Sequence, residues 1–179
     1  MTRLQPVDPT TATGKTKELF NAVQAKLGSV PNMMRTMANA PAVLEGYLNL
    51  SGALSHGNLN TRTGELIALT VGEANNCDYC IAAHNFIGEK LLKTDPAVIL
   101  AARKADSSDL KTKAILQLAK TLVDKNGRVN DSDVNSAKAA GISEAEITEI
   151  VAHVALNVMT NYLNNTANTT VDFPEVATV

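Results

Sequence analysis

An all-α fold is predicted by three features of this sequence. Apolar residues recur at three- and four-residue intervals in nearly every segment, the spacing that lines one face of a helix. Alternation of period two, the mark of a half-buried strand, is confined to the last residues. Aromatic residues make up only 3% of the chain and tryptophan is absent, while small and aliphatic residues abound. That composition suits close helix packing and not a β-sandwich. The pattern gives a single domain over residues 1–179 with about seven or eight helices and extended arms at 1–14 and 167–179. A chain of 179 residues is long enough to bury one hydrophobic core.

The elements follow in order. The segment 15-KTKELFNAVQAKLG-28 places Leu19, Phe20, Val23 and Leu27 at helical spacing, with Gly28 as its stop. Pro31 opens a short segment in which Met33, Met34 and Met37 form one apolar, core-facing side. Pro41 suits the first turn of the next helix, where its missing N–H is not needed. Leu44, Tyr47, Leu48 and Leu54 line one side of that helix, and His56 falls at its C-terminal end. The run 61-TRTGELIALTVGEANN-76, with Leu66, Ile67, Leu69 and Val71, reads as a central buried helix broken or capped by Asn75-Asn76. A new helix starts at CDYCIAAHNFIGEKLL, and Asp95-Pro96 starts a short one reaching Arg103. Ser108 is placed as the cap of 109–127, with Leu110, Ile115, Leu118 and Leu122 inward and Gly127 closing it. Residues 131–141 form a short helix. The sequence 143-SEAE-146 is a capping box, with Glu three residues after Ser. It opens the longest helix, whose Ile147, Ile150, Val151, Val154 and Val158 face inward, with His153 in a core or interface position.

Composition excludes several classes of function. A formal net charge of -2, with scattered Lys and Arg, gives no nucleic-acid stripe. No apolar run reaches the roughly 20 residues of a membrane span, and the first residues lack the apolar core of a signal peptide. A cytoplasmic protein is the expectation. Reducing conditions there disfavour a structural disulfide, so closely spaced cysteines read as catalytic or metal-binding. No Gly-rich phosphate loop is present.

Both cysteines of the chain lie in 73-EANNCDYCIAAHN-85, three residues apart, with a histidine four residues after the second. With Asn75 or Asn76 as cap, Cys77 falls in the first helical turn, and Cys77, Cys80 and His84 stack along one side. The helix N-terminus favours a thiolate there, and His84 supplies an acid/base. Asp78 and Glu73 are expected in solvent. A zinc site wants four ligands, and only one such cysteine pair exists. A thioredoxin-like module wants the pair after a strand, and strands are not predicted. Two small buried residues that happen to be Cys explain the spacing poorly. Thiol redox chemistry on a helical scaffold is the reading the residues favour.

Glu65, Cys77-Asp78-Tyr79-Cys80 and His84 together resemble the signature of the AhpD-like superfamily, the alkyl hydroperoxidase D and carboxymuconolactone decarboxylase relatives. The pattern is a Glu twelve residues before a C-x-Y-C-x-x-x-H segment. The resemblance extends from about Val30 to Pro174 and includes 150-IVAHVALNVMTNYLNN-165. It implies a thiol-dependent peroxidase in which Cys80 attacks the peroxide as thiolate and Cys77, nearer the helix start and the solvent, resolves the sulfenic acid as a disulfide. It implies that Glu65 and His84 form the proton relay, and that Tyr79 walls the pocket or donates a hydrogen bond. It implies no metal and no bound cofactor, a dithiol reductant (lipoamide-bearing or thioredoxin-like), and a homo-oligomer (dimer, trimer or hexamer), an even number being favoured. Two alternatives stand beside it: a decarboxylase or lactone-processing enzyme on the same fold, and a non-enzymatic redox switch.

Overall fold

The computed structural model describes residues 1–177 and 179; position 178 of the expected C-terminal arm lies outside the described residues. Among them the chain forms nine α-helices and no strand: α1 (Gly14–Leu27), α2 (Asn32–Met37), α3 (Pro41–Leu54), α4 (Thr61–Ala74), α5 (Asp78–Phe86), α6 (Pro96–Arg103), α7 (Leu110–Asp124), α8 (Asp131–Ala139) and α9 (Glu144–Ala167). Eight of these have eight residues or more, and α2 is a six-residue turn and a half. A π-helical turn, Ile87–Leu91, continues α5. Gly88 lets this turn pack closely on α6, where a Cβ would stand 3.0 Å from Ile99 Cδ1.

Local chemistry accounts for the helix ends. Gly28 closes α1 in the left-handed conformation at φ 78°, which a residue without Cβ adopts at no steric cost. Pro41 and Pro96 occupy first-turn positions of α3 and α6. The capping box of α9 is complete: Glu146 N–H donates to Ser143 Oγ at 3.2 Å, and Ser143 N–H donates to Glu146 Oε2 at 2.8 Å. The cap of α7 is Asp109 and not Ser108; its carboxylate accepts from Thr112 N–H at 2.8 Å, and an ionised acceptor outcompetes a hydroxyl at the positive helix end.

The core forms around α4, which packs against α5, α6, α7 and α9. Every residue from Leu66 to Gly72 is buried, as expected for a central helix with no solvent face. Ile67, Leu69 and Val71 meet Ile99 of α6, Leu116 and Ala119 of α7 and Ile150 of α9. A second cluster joins Phe20 and Val23 of α1, Met34 and Met37 of α2, and Leu44 of α3, so the methionines are core as expected.

Three inward placements need correction. Leu110 is 80% exposed and Val151 46% exposed; each matches the helical period but sits at the edge of its helix's buried stripe. Leu27, on the last turn of α1, is also exposed. Both terminal segments run back over the body. Arg3 N–H donates to Ala167 O at 2.7 Å and Val7 N–H to Arg35 O at 3.0 Å. Beyond α9, Thr170 O accepts from Asn32 Nδ2 at 3.0 Å and Asp172 Oδ2 from Asn32 N–H at 2.8 Å.

Candidate functional site

The site is built where α4 ends and α5 begins. Asn75 caps α4, Asn76 adopts the left-handed conformation at φ 50°, and the chain reverses. Cys77 N–H donates to Gly72 O at 2.9 Å and Asn76 N–H to Glu73 O at 3.1 Å. This is the paired bonding of a Schellman motif, with Asn where a left-handed residue is required. Neither asparagine caps α5. Cys77 itself is the N-cap, and its sulfur accepts from Cys80 N–H at 3.3 Å. One residue thus closes α4 and opens α5, which fixes the angle between the helices that carry Glu65 and His84.

Cys77 and Cys80 are joined by a disulfide. Both are buried: Cys77 is 1% exposed and Cys80 3%. The expectation that Cys77 lies nearer solvent is therefore corrected. Its N-cap position turns it under Met33 and Phe173, which pack with Tyr79 against the pair. Asp78 points outward and is exposed, as expected. Glu73 is not a solvated carboxylate: its Oε2 accepts from Arg103 Nε at 2.7 Å, and Arg103 Nη1 also reaches Ala177 O at 2.9 Å. Arg103 is 7% exposed, and a buried guanidinium requires such a partner.

One turn along α5, His84 Nδ1 lies 2.6 Å from Glu65 Oε2 of α4. The side chains are 22% and 20% exposed. Burial pulls the imidazole toward its neutral form, but the charge and hydrogen bond of Glu65 outweigh it and hold His84 above its ordinary value. Cys80 and His84, four apart on one helix, share a face. The structure thus joins Cys77 to Cys80 at the α4–α5 junction and pairs Glu65 with His84 across the same two helices. Tyr79 is pinned, with its hydroxyl accepting from Met33 N–H at 3.1 Å and its ring edge-on to Phe173 at 5.7 Å. Burial, with Asp172 adding, drives its phenol well above the ordinary range, so it stays neutral. Tyr47 of α3 is pushed up to about 12 by burial and by the charge of Glu65.

Two contacts to the site escaped the sequence. Asn164 of α9 donates from Nδ2 to Cys80 Sγ at 3.4 Å. Phe173 meets Tyr79 edge-on and also meets Phe86, with centroids 5.8 Å apart. The asparagine was detectable as one of a polar series, Asn157, Asn161 and Asn164, on the buried side of α9. The C-terminal segment, whose alternation forms no strand, offered no comparable signal.

The model of the carboxymuconolactone decarboxylase family matches residues 41–87, which contain Glu65, Cys77, Cys80 and His84. No curated protein matches the chain. Among solved structures, the AhpD core of an uncharacterized peroxidase-related protein from Ralstonia eutropha JMP134 superposes with a TM-score of 0.84 at 23% identity, covering 96% of this chain and 92% of the other. An uncharacterized peroxidase-related protein from Silicibacter sp. TM1040 gives 0.79 at 22% identity, over 95% and 94%. The debrominase Bmp8, a cysteine-to-alanine variant in complex with 2,3,4-tribromopyrrole, gives 0.80 at 19% identity, over 96% and 92%. These likenesses establish an AhpD-like fold. By this fold and by the family match over residues 41–87, the chain is similar to the AhpD-like carboxymuconolactone decarboxylase superfamily. No described helix is long and apolar enough to cross a membrane.

Proposed function

We propose that the protein is a thiol-dependent peroxidase-type oxidoreductase that cycles between the Cys77–Cys80 dithiol and disulfide. The observation that carries this reading is the bonded cysteine pair on the same helix as an ion-paired histidine. In the reduced protein the Cys80 thiolate attacks one peroxide oxygen; the S–O bond forms as the O–O bond breaks, and the thiol is oxidised by two electrons. His84, kept protonated by Glu65, gives its proton to the departing alkoxide or hydroxide, a general-acid role. The Cys77 thiol then attacks the sulfenic acid, forming the S–S bond and releasing water. A dithiol, carried on lipoamide or on a thioredoxin-like protein, returns the pair to thiols by exchange. The working protein is proposed to be a cytoplasmic homo-oligomer of this one domain.

The test is peroxide consumption by the reduced protein with excess dihydrolipoamide. Wild type turns over repeatedly; Cys80→Ser forms no sulfenic acid, and Cys77→Ser forms it once and stops. A single oxidation without turnover in wild type would point to a redox switch, and thiols untouched by peroxide would exclude the peroxidase reading.

The apolar enclosure of the sulfurs by Met33, Tyr79 and Phe173 favours a second reading, consistent with the debrominase fold neighbour. Reductive dehalogenation of an aromatic substrate would replace C–Br by C–H, release bromide and oxidise both thiols to the disulfide. Bromide release from a bromopyrrole by the reduced protein tests it.

A further inference from the structure

The inward face of α9 changes character along its length. Ile150 and Val154 are apolar and buried, and the next positions on that face are Asn157, Asn161 and Asn164, at 6%, 0% and 3% exposure. Asn157 Nδ2 bonds back to His153 O at 2.8 Å, within its own helix. Asn161 Oδ1 accepts from Asn75 Nδ2 at 2.9 Å, tying α9 to the turn before Cys77. Asn164 does neither. Its one hydrogen bond is from Nδ2 to Cys80 Sγ at 3.4 Å, and its Oδ1 is buried with no partner. A buried amide oxygen left unpaired is costly, and leucine, with the same number and branching of side-chain heavy atoms, carries no such polar group. The fold therefore keeps a polar group against one sulfur at a penalty that packing does not explain.

We propose that Asn164 is a further catalytic residue of the Cys80 chemistry: its amide N–H donates to the Cys80 thiolate and holds it in place for attack. This rests on the proposed role of Cys80 as the attacking sulfur. A hydrogen bond to an ionised acceptor is about twice as strong as one to a neutral acceptor, so the contact gains strength when the disulfide is reduced and the sulfur carries charge. The charged and titratable groups around that thiolate are the Glu65–His84 pair of α4 and α5, Asp78 of α5 itself, Tyr79, Asp172 of the C-terminal segment and Arg3 of the N-terminal one. Arg3, Asp78, Tyr79 and Asn164 line one cavity of about 280 Å³. Asn164 contributes from α9 with an uncharged donor, whose effect persists when those charges are screened by salt.

The experiment isolates the Cys80 thiol in a Cys77→Ser background, where a serine hydroxyl still caps α5. The rate of iodoacetamide alkylation is followed against pH, with thiolate absorbance at 240 nm as a second readout, for Asn164, Asn164→Leu and Asn164→Ser. Loss of the donor is expected to leave about tenfold less thiolate at a fixed pH below the titration midpoint, in 0.5 M salt as well as in dilute buffer. Alkylation after denaturation should be identical in all three. A folded Asn164→Leu with an unchanged pH profile overturns the proposal; if that variant does not fold, Asn164→Ser, which removes the amide without adding bulk, decides on the same criterion. Peroxide is absent from the assay. A shifted profile without peroxidase turnover upholds Asn164 and fails the peroxidase reading, and turnover with an unchanged profile does the reverse.

Discussion

Replacing Glu65 with Gln is expected to reverse the pH dependence of stability that His84 contributes. In the wild type, burial pulls His84 down while the Glu65 charge and the 2.6 Å hydrogen bond raise it further than burial lowers it. Between the ordinary value of 6.5 and the raised native value, the folded protein binds more protons than the unfolded chain. The pair's stabilisation is therefore fully present below pH 6.5 and is lost as pH rises through the native value. Without the carboxylate, burial is left as the main cause and His84 falls below 6.5. The folded state then binds fewer protons than the unfolded one, and the contribution rises with pH. A hydrogen bond to a charged group contributes about 1.5–3 kcal/mol. Taking about 2 kcal/mol, Glu65→Gln at pH 6 lowers Tm by roughly 4–8 °C for a chain of this length, and the deficit shrinks toward pH 9. Thermal unfolding of the oxidised protein from pH 5 to 9 measures it. His153, pulled down by burial against the charges of Glu149 and Glu65, contributes with the opposite sign, and His84→Gln isolates that background. The reasoning is refuted if the His84-dependent slope keeps its wild-type sign in Glu65→Gln.

Three further outcomes are expected. Leu116→Ala, at a fully buried position between α4 and α9, costs about 2–5 kcal/mol in urea unfolding, whereas Leu110→Ala at an exposed one changes stability by no more than about 0.5 kcal/mol. Ser143→Ala removes one half of the α9 capping box and costs about 1 kcal/mol; an unchanged urea midpoint would show that the cap contributes nothing. Phe173→Ala strips the aromatic cover from Tyr79 and Phe86 at about 0.5–1.5 kcal/mol and speeds reduction of the disulfide by dithiothreitol several-fold; an equal rate would mean that the reductant reaches the sulfurs by another face.

The sequence revealed most where structure is local. The capping box at Ser143, the prolines at the starts of α3 and α6, and the shared helix of Cys80 and His84 depend on residues within one or two turns of each other, and these are found as read. The Glu65–His84 bond spans 19 residues and was reached only through the family resemblance, because the angle between α4 and α5 has no signature in periodicity. Cys77 as the shared cap was missed because cysteine is a rare N-cap and two asparagines precede it. The contact of Asn164 with Cys80 bridges 84 residues, and the edge-on contact of Phe173 with Tyr79 comes from a segment outside the helices. Leu110 and Val151 show the opposite error: helical spacing assigns a face, but the width of the buried stripe is decided by whichever helix lies alongside.

The disulfide encloses only the span from Cys77 to Cys80, a sequence separation of 3. Loop-closure entropy for so short a ring stabilises the folded state by only about 2 kcal/mol, well under half of what a bridge spanning 100 residues supplies. Cutting it leaves the cap of α5 on the same cysteine and the Schellman bonds of α4 on backbone atoms. Reduction would thus withdraw only about 2 kcal/mol of conformational stability and leave both helix ends capped. The two helix ends are held by contacts that do not pass through the S–S bond.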